Sequence, residues 1–93
     1  MTPLRWSEAA LGNIDAIGDY IGLFDYRRAT AIIRAITARA ELLQDFPLSG
    51  EKTAMPNVRK VSIPRYRYII LYEVAADEVI ILGVRHTAQN WRG

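Results

Sequence analysis

The chain contains no cysteine and a single histidine, His86. Disulfide frameworks, thiol nucleophiles, cysteine zinc sites and paired-histidine metal motifs are thereby excluded together. Glycine-rich phosphate loops are also missing: Gly12, Gly18, Gly22, Gly50, Gly83 and Gly93 fit neither the P-loop nor the dinucleotide spacing, so no nucleotide cofactor is expected. Long apolar runs are absent. The longest, residues 68–72 and 79–84, fall far short of the ~18 to 20 residues that cross a bilayer. The opening Met1-Thr2-Pro3-Leu4-Arg5-Trp6 lacks the basic-then-apolar run of a signal peptide. We therefore expect a soluble, cytoplasmic protein with no membrane partner, no metal and no cofactor.

What is there is ordinary globular material. With 51% hydrophobic and 24% charged residues in 93, the composition supports one core, hence one domain spanning residues 1–93. The net charge of +2 is slight but unevenly placed. Up to residue 57, Arg5, Arg27, Arg28, Arg34, Arg39 and Lys52 are outnumbered by Glu8, Asp15, Asp19, Asp25, Glu41, Asp45 and Glu51. Beyond it, Arg59, Lys60, Arg65, Arg67, Arg85 and Arg92 face only Glu73, Asp77 and Glu78. A basic C-terminal third fits an anionic partner or a solvated sheet face.

The periodicity divides the chain in two. Residues 4–6 alternate as a short extended opening. Ser7 is placed to cap a helix with Glu8 in its first turn, and Ala10, Ile14, Ile17 and Ile21 form one stripe that ends near Gly22. Asp25 can cap a second helix, striped by Ala29, Ile32, Ile33, Ile36, Ala40 and Leu43 and halted at Asp45-Phe46-Pro47. Residues 48–57 read as an exposed loop. From there the period falls to 2: strands are expected over 58–63, 67–74 and 79–86, joined by short turns into an antiparallel meander. The fold class is thus α+β, order β-α-α-β-β-β, with a helical hairpin packed on a small antiparallel sheet.

Few residues carry chemistry. Ser7, Ser49 and Ser62 lie outside any nucleophile-elbow context, which leaves no serine for a triad with His86. Asp77-Glu78 belongs to a turn. Arg85-His86 at the end of the last strand, followed by Thr87-Ala88-Gln89-Asn90-Trp91-Arg92, has two readings. Either the imidazole acts as acid or base beside phosphate-holding arginines, or it bonds within the fold while Trp91 packs the tail. Likewise Tyr66, Tyr68 and Tyr72, interleaved with Arg65 and Arg67, read as a stacking surface for single-stranded nucleic acid or as core.

Several segments together resemble the RelE/ParE superfamily of type II toxin–antitoxin toxins over nearly the whole chain. They are Trp6-Ser7-Glu8-Ala9-Ala10, Phe46-Pro47-Leu48-Ser49-Gly50, Tyr68-Ile69-Ile70-Leu71-Tyr72-Glu73-Val74, and Ile81-Leu82-Gly83-Val84-Arg85-His86 leading to Gln89-Asn90-Trp91. The resemblance implies the same β-α-α-β-β-β fold and a small antitoxin that neutralises the toxin and represses their shared operon. It also implies one of two activities. RelE-like members cut mRNA at the ribosomal A site; ParE-like members poison DNA gyrase without a recognised nucleolytic site. RelE-like toxins typically carry an arginine after the first tyrosine of the middle strand, where this chain has Tyr68-Ile69. Arg67 lies two residues away, on the same face of the expected strand but roughly 6.6 Å off. The tail Thr87-Ala88-Gln89 also lacks the basic residues of RelE-like toxins.

The resemblance therefore points to a ParE-like toxin that inhibits gyrase by binding through Arg85, His86, Gln89, Asn90 and Trp91. The alternative is a ribosome-dependent, metal-free endoribonuclease using His86, Arg59, Lys60, Arg65, Arg67 and Arg85. The expected partner is a ParD-like, ribbon-helix-helix antitoxin that alone contacts operator DNA. Its candidate docking residues are the apolar Leu11, Leu23, Phe24 and Leu42, with Arg27, Arg28, Arg34 and Arg39 complementing an acidic antitoxin segment.

Overall fold

The structure is a computed structural model and describes residues 1–88. Strand β1 (Leu4–Trp6) leads into helix α1 (Glu8–Gly22), and Ser7 joins them with two bonds. Its hydroxyl accepts from the Ala10 N–H at 3.0 Å and donates to the Leu82 carbonyl at 3.2 Å. An N-cap alone contributes about 1 kcal/mol. Ser7→Ala is expected to lower Tm by roughly 4–8 °C, read from a thermal melt.

Helix α2 (Tyr26–Glu41) begins at Asp25, whose carboxylate accepts from the Arg28 N–H at 3.0 Å. Its stripe reaches the core as expected. Ala29, Ile32, Ile36, Ala40 and Leu43 are buried, and only Ile33 is left half-buried. Ahead of Pro47 the helix does not simply stop: it tightens into a 3₁₀ turn over Leu42–Gln44, which carries Leu43 into the core.

The sheet is larger than its periodicity implies. Strands β3 (Val58–Ile63), β4 (Tyr68–Val74) and β5 (Val79–His86) form the expected antiparallel meander. Two short strands extend it to the order β1-β5-β4-β3-β2. Within the stretch expected as loop, β2 (Glu51–Lys52) pairs antiparallel with β3. On the other side β1 pairs with β5 in parallel, Leu4 opposite Val79 and Trp6 opposite Ile81. The sheet is therefore mixed, not antiparallel throughout. Strand β5, apolar on both faces, lies inside it as its composition requires.

A second difference lies in the β3–β4 turn. Arg67 was expected to open the second strand but instead takes a left-handed φ of 60° in the turn, and β4 starts at Tyr68. It therefore does not share a strand face with Ile69.

The two helices cover one sheet face. Val61, Ile63, Tyr68, Ile70, Tyr72, Val79, Ile81 and Val84 pack there against Ala10, Ile32, Ile36, Ala40 and Leu43. Tyr68 and Tyr72 are thus core rather than stacking platform. On the opposite, open face the alternate positions Lys60, Ser62, Ile69, Leu71 and Arg85 face outward.

Candidate functional site

Antiparallel pairing brings the end of β5 beside the β3–β4 turn: His86 lies opposite Tyr68, and the Thr87 N–H donates to the Arg67 carbonyl at 2.7 Å. The His86 ring meets Tyr68 edge-on, centroids 5.2 Å apart, and its Nδ1 accepts from the Ala88 N–H at 3.1 Å. Beside this corner β1 has already ended, which leaves the flank of β5 facing α1. There the Asn13 side-chain oxygen accepts from the Val84 N–H at 3.0 Å, in place of a neighbouring strand.

Between α1 and this corner runs a groove of about 530 Å³. Its floor is apolar, with Ile17 and Ile21 from α1, Ile32 from α2 and Val84 from β5. The rim carries Tyr20, Arg28, Tyr66, Arg85 and His86, and among the described residues no carboxylate lines it. Arg28 and Arg65 both sit over the Tyr66 ring, 5.7 and 5.3 Å from its centroid, so cation–π contact concentrates positive charge at one lip. Burial pushes the Tyr68 phenol above its ordinary 10.0, with Arg28 pulling weakly the other way. A phenol raised in the folded state gives stability that is complete below the unfolded value and is lost as pH climbs through the folded one. The protein is expected to lose stability above about pH 10, and Tyr68→Phe to flatten that loss in denaturation midpoints measured from pH 8 to 11.

The remaining sequence candidates scatter. Arg59 lies across from Tyr72, four residues or about 13 Å along β4 from Tyr68. Its guanidinium donates to the carbonyls of Leu48 and Gly50, at 3.3 and 2.9 Å. Lys60 is on the open face beside Glu51, 4.0 Å away in an exposed pair. Arg85 and His86, adjacent in sequence, project to opposite faces. Arg65 and Arg67 belong to the turn. Ile69 has Ser62 and Arg85 as its cross-strand neighbours, so the position where RelE-like toxins place an arginine is apolar. Gln89, Asn90 and Trp91 lie outside the described residues.

The antitoxin candidates are spread over the hairpin. Leu23 and Phe24 are 80% and 78% exposed at the α1–α2 turn, with Arg27 and Arg28 beside them. Leu11 and Leu42 lie near the opposite end; Arg34 is exposed along α2 and Arg39 half-buried. Sequence reading missed Tyr20 and Tyr26, 68% and 78% exposed, which extend the patch at the turn, and Tyr20 contacts Phe24 edge-on. Their signal was available: both are large aromatics outside the buried stripes. Among the described residues no helix is long and apolar enough to cross a membrane, and no cluster of three metal-ligating side chains occurs.

Comparison with known proteins agrees with this architecture. Residues 4–91 match the family described as the ParE toxin of type II toxin–antitoxin systems, parDE. The putative toxin Y4kP of Sinorhizobium fredii is 33% identical over 88 residues, covering 95% of this chain and 91% of its own. Toxin RelE2 of Caulobacter vibrioides is 32% identical over 89 residues, covering 96% and 99%. Among solved structures, a chromosomal ParDE system from P. aeruginosa superposes with a TM-score of 0.82 at 24% identity, covering 92% of this chain and 96% of that one. The isolated E. coli RelE toxin gives 0.73 at 15% identity, covering 97% and 88%. These last two likenesses speak to the fold alone. From the full-length family match and the toxin relatives together, the chain belongs to the ParE toxin family within the RelE/ParE superfamily of type II toxin–antitoxin toxins.

Proposed function

We propose that this toxin inhibits DNA gyrase by occupying it rather than by turnover, with Arg85 and His86 on the contact surface and Gln89, Asn90 and Trp91 continuing it. The observation that carries this reading is the dispersal of the groups a nuclease would need. A metal-free ribonuclease requires a base and several cations converging within hydrogen-bond reach of one phosphodiester. Here Arg59 is tied to backbone carbonyls about 13 Å from the corner, Lys60 and Arg85 face away from His86, and Ile69 interrupts the open face. The parDE family description supports the same reading.

Cleavage of mRNA on the ribosome is the second reading, favoured by the RelE name of one relative. A translation reaction separates the two. The gyrase reading expects no A-site cuts with added toxin, whereas cuts that vanish in His86→Ala favour the ribonuclease. The antitoxin of this reading is ParD-like, binds operator DNA through a ribbon-helix-helix domain, and runs along the hairpin over Leu11, Leu23, Phe24, Leu42, Arg27, Arg28, Arg34 and Arg39. The exposure of all but the half-buried Arg39 supports it. Co-expression rescue of growth by the antitoxin, lost when charge is reversed at these arginines, tests that surface.

A further inference from the structure

The tip of the helical hairpin gathers large apolar side chains that the fold leaves uncovered. Residues 23–28 are all exposed, and Tyr20, Leu23, Phe24 and Tyr26 each show more than two-thirds of their surface to solvent. Tyr20 and Phe24 already meet edge-on, ring centroids 5.6 Å apart, so two of the rings are held in place before any partner arrives.

The charges around these rings run against the helices that carry them. Asp19 lies in the last turn of α1, where the macrodipole is negative, and Arg27 in the first turn of α2, where it is positive. Each placement costs stability, and among the described residues neither side chain offsets that cost with an ion pair. A carboxylate from one helix and a guanidinium from the other thus flank one apolar centre. A partner of single-signed charge would satisfy one of these groups and repel the other. A second copy of the same patch satisfies both, because a twofold axis sets Asp19 of each copy against Arg27 of the other. The three rings and the leucine expose roughly 500–600 Å² per copy, so the pair buries about 1,000–1,200 Å², the size of a weak and reversible contact.

We propose that the toxin freed of its antitoxin pairs with a second copy through the hairpin tip, as a twofold dimer with Phe24 and Tyr26 at its centre and two Asp19–Arg27 ion pairs at its rim. Leu23, Phe24 and Arg27 are also assigned to the antitoxin above, so the dimer belongs to the free toxin. The pairing needs this chain alone and is independent of the gyrase reading.

Sedimentation of the antitoxin-free toxin from about 1 to 500 μM tests it. The expected result is a monomer–dimer transition within that range, with Phe24→Asp remaining monomeric to the top of it and melting as wild type does. Arg27→Asp should raise the dimer dissociation constant about tenfold or more at low salt, and adding Asp19→Arg to the same chain should return it to within about threefold of wild type. Both exchanges move each charge to the helix end that favours it, so the variants fold. A toxin that stays monomeric throughout would overturn the proposal. So would a dimer indifferent to Phe24→Asp, or one that Asp19→Arg fails to restore. Association that continues past two copies would overturn it as well, since a closed twofold contact stops at the pair.

Discussion

Gly50→Ala is expected to destabilise the toxin by about 3 kcal/mol and lower its Tm by roughly 12–24 °C. The cause is a backbone clamp with no room for a methyl group. A Cβ at residue 50 would stand 2.5 Å from the Tyr72 hydroxyl and 2.7 Å from the Lys60 carbonyl oxygen. Tyr72, fully buried, donates to the Pro47 carbonyl at 2.8 Å and accepts from the Gly50 N–H at 2.9 Å. Arg59 holds the same segment by the Leu48 and Gly50 carbonyls. A methyl group must displace the hydroxyl or the β3 backbone, and either movement leaves buried polar groups unpaired. The same substitution at Gly12 should have the opposite sign. That residue lies inside α1 with open space around it, and alanine there should stabilise by about 0.5–1 kcal/mol. Chemical denaturation of the two variants side by side measures both.

The second large effect is functional. Arg85→Glu should raise the toxin concentration needed for half-inhibition of its target at least 100-fold and abolish growth arrest on expression. A well-placed arginine at an interface contributes roughly 2–4 kcal/mol on truncation, and reversing its charge adds repulsion from the surface it used to complement. Arg85 is exposed near the end of β5, so folding should be little affected, and an unchanged thermal melt alongside lost toxicity separates binding from unfolding. Toxicity at the wild-type level would remove Arg85 from the target surface.

Much of the fold was legible because each main element buries one face. The stripe from Ala29 to Leu43 repeats at helical spacing, and Tyr68, Ile70 and Tyr72 alternate into the core. The motif Phe46-Pro47-Leu48-Ser49-Gly50, which carries part of the family likeness, proves to be architecture: it is the segment that Tyr72 and Arg59 clamp. Two residues are too few to show a period, which hid β2. The parallel partnership of β1 joins residues more than seventy apart, as in Leu4 with Val79, and no local pattern encodes it. Arg67 reads as the first residue of a strand until its left-handed φ places it in the turn, because bulky residues there are rare. The candidate site was half legible. Arg85-His86 stood out at a strand end, but the groove needs Asn13 and Ile17 from α1, Arg28 from α2 and Tyr66 from a turn, which only tertiary folding assembles.

The central claim, action on gyrase by occupation, is tested most directly by supercoiling of relaxed plasmid with purified gyrase and increasing toxin. The account predicts inhibition that tracks the ratio of toxin to gyrase and is lost in Arg85→Glu. Supercoiling that proceeds unchanged at every excess of folded toxin would contradict it.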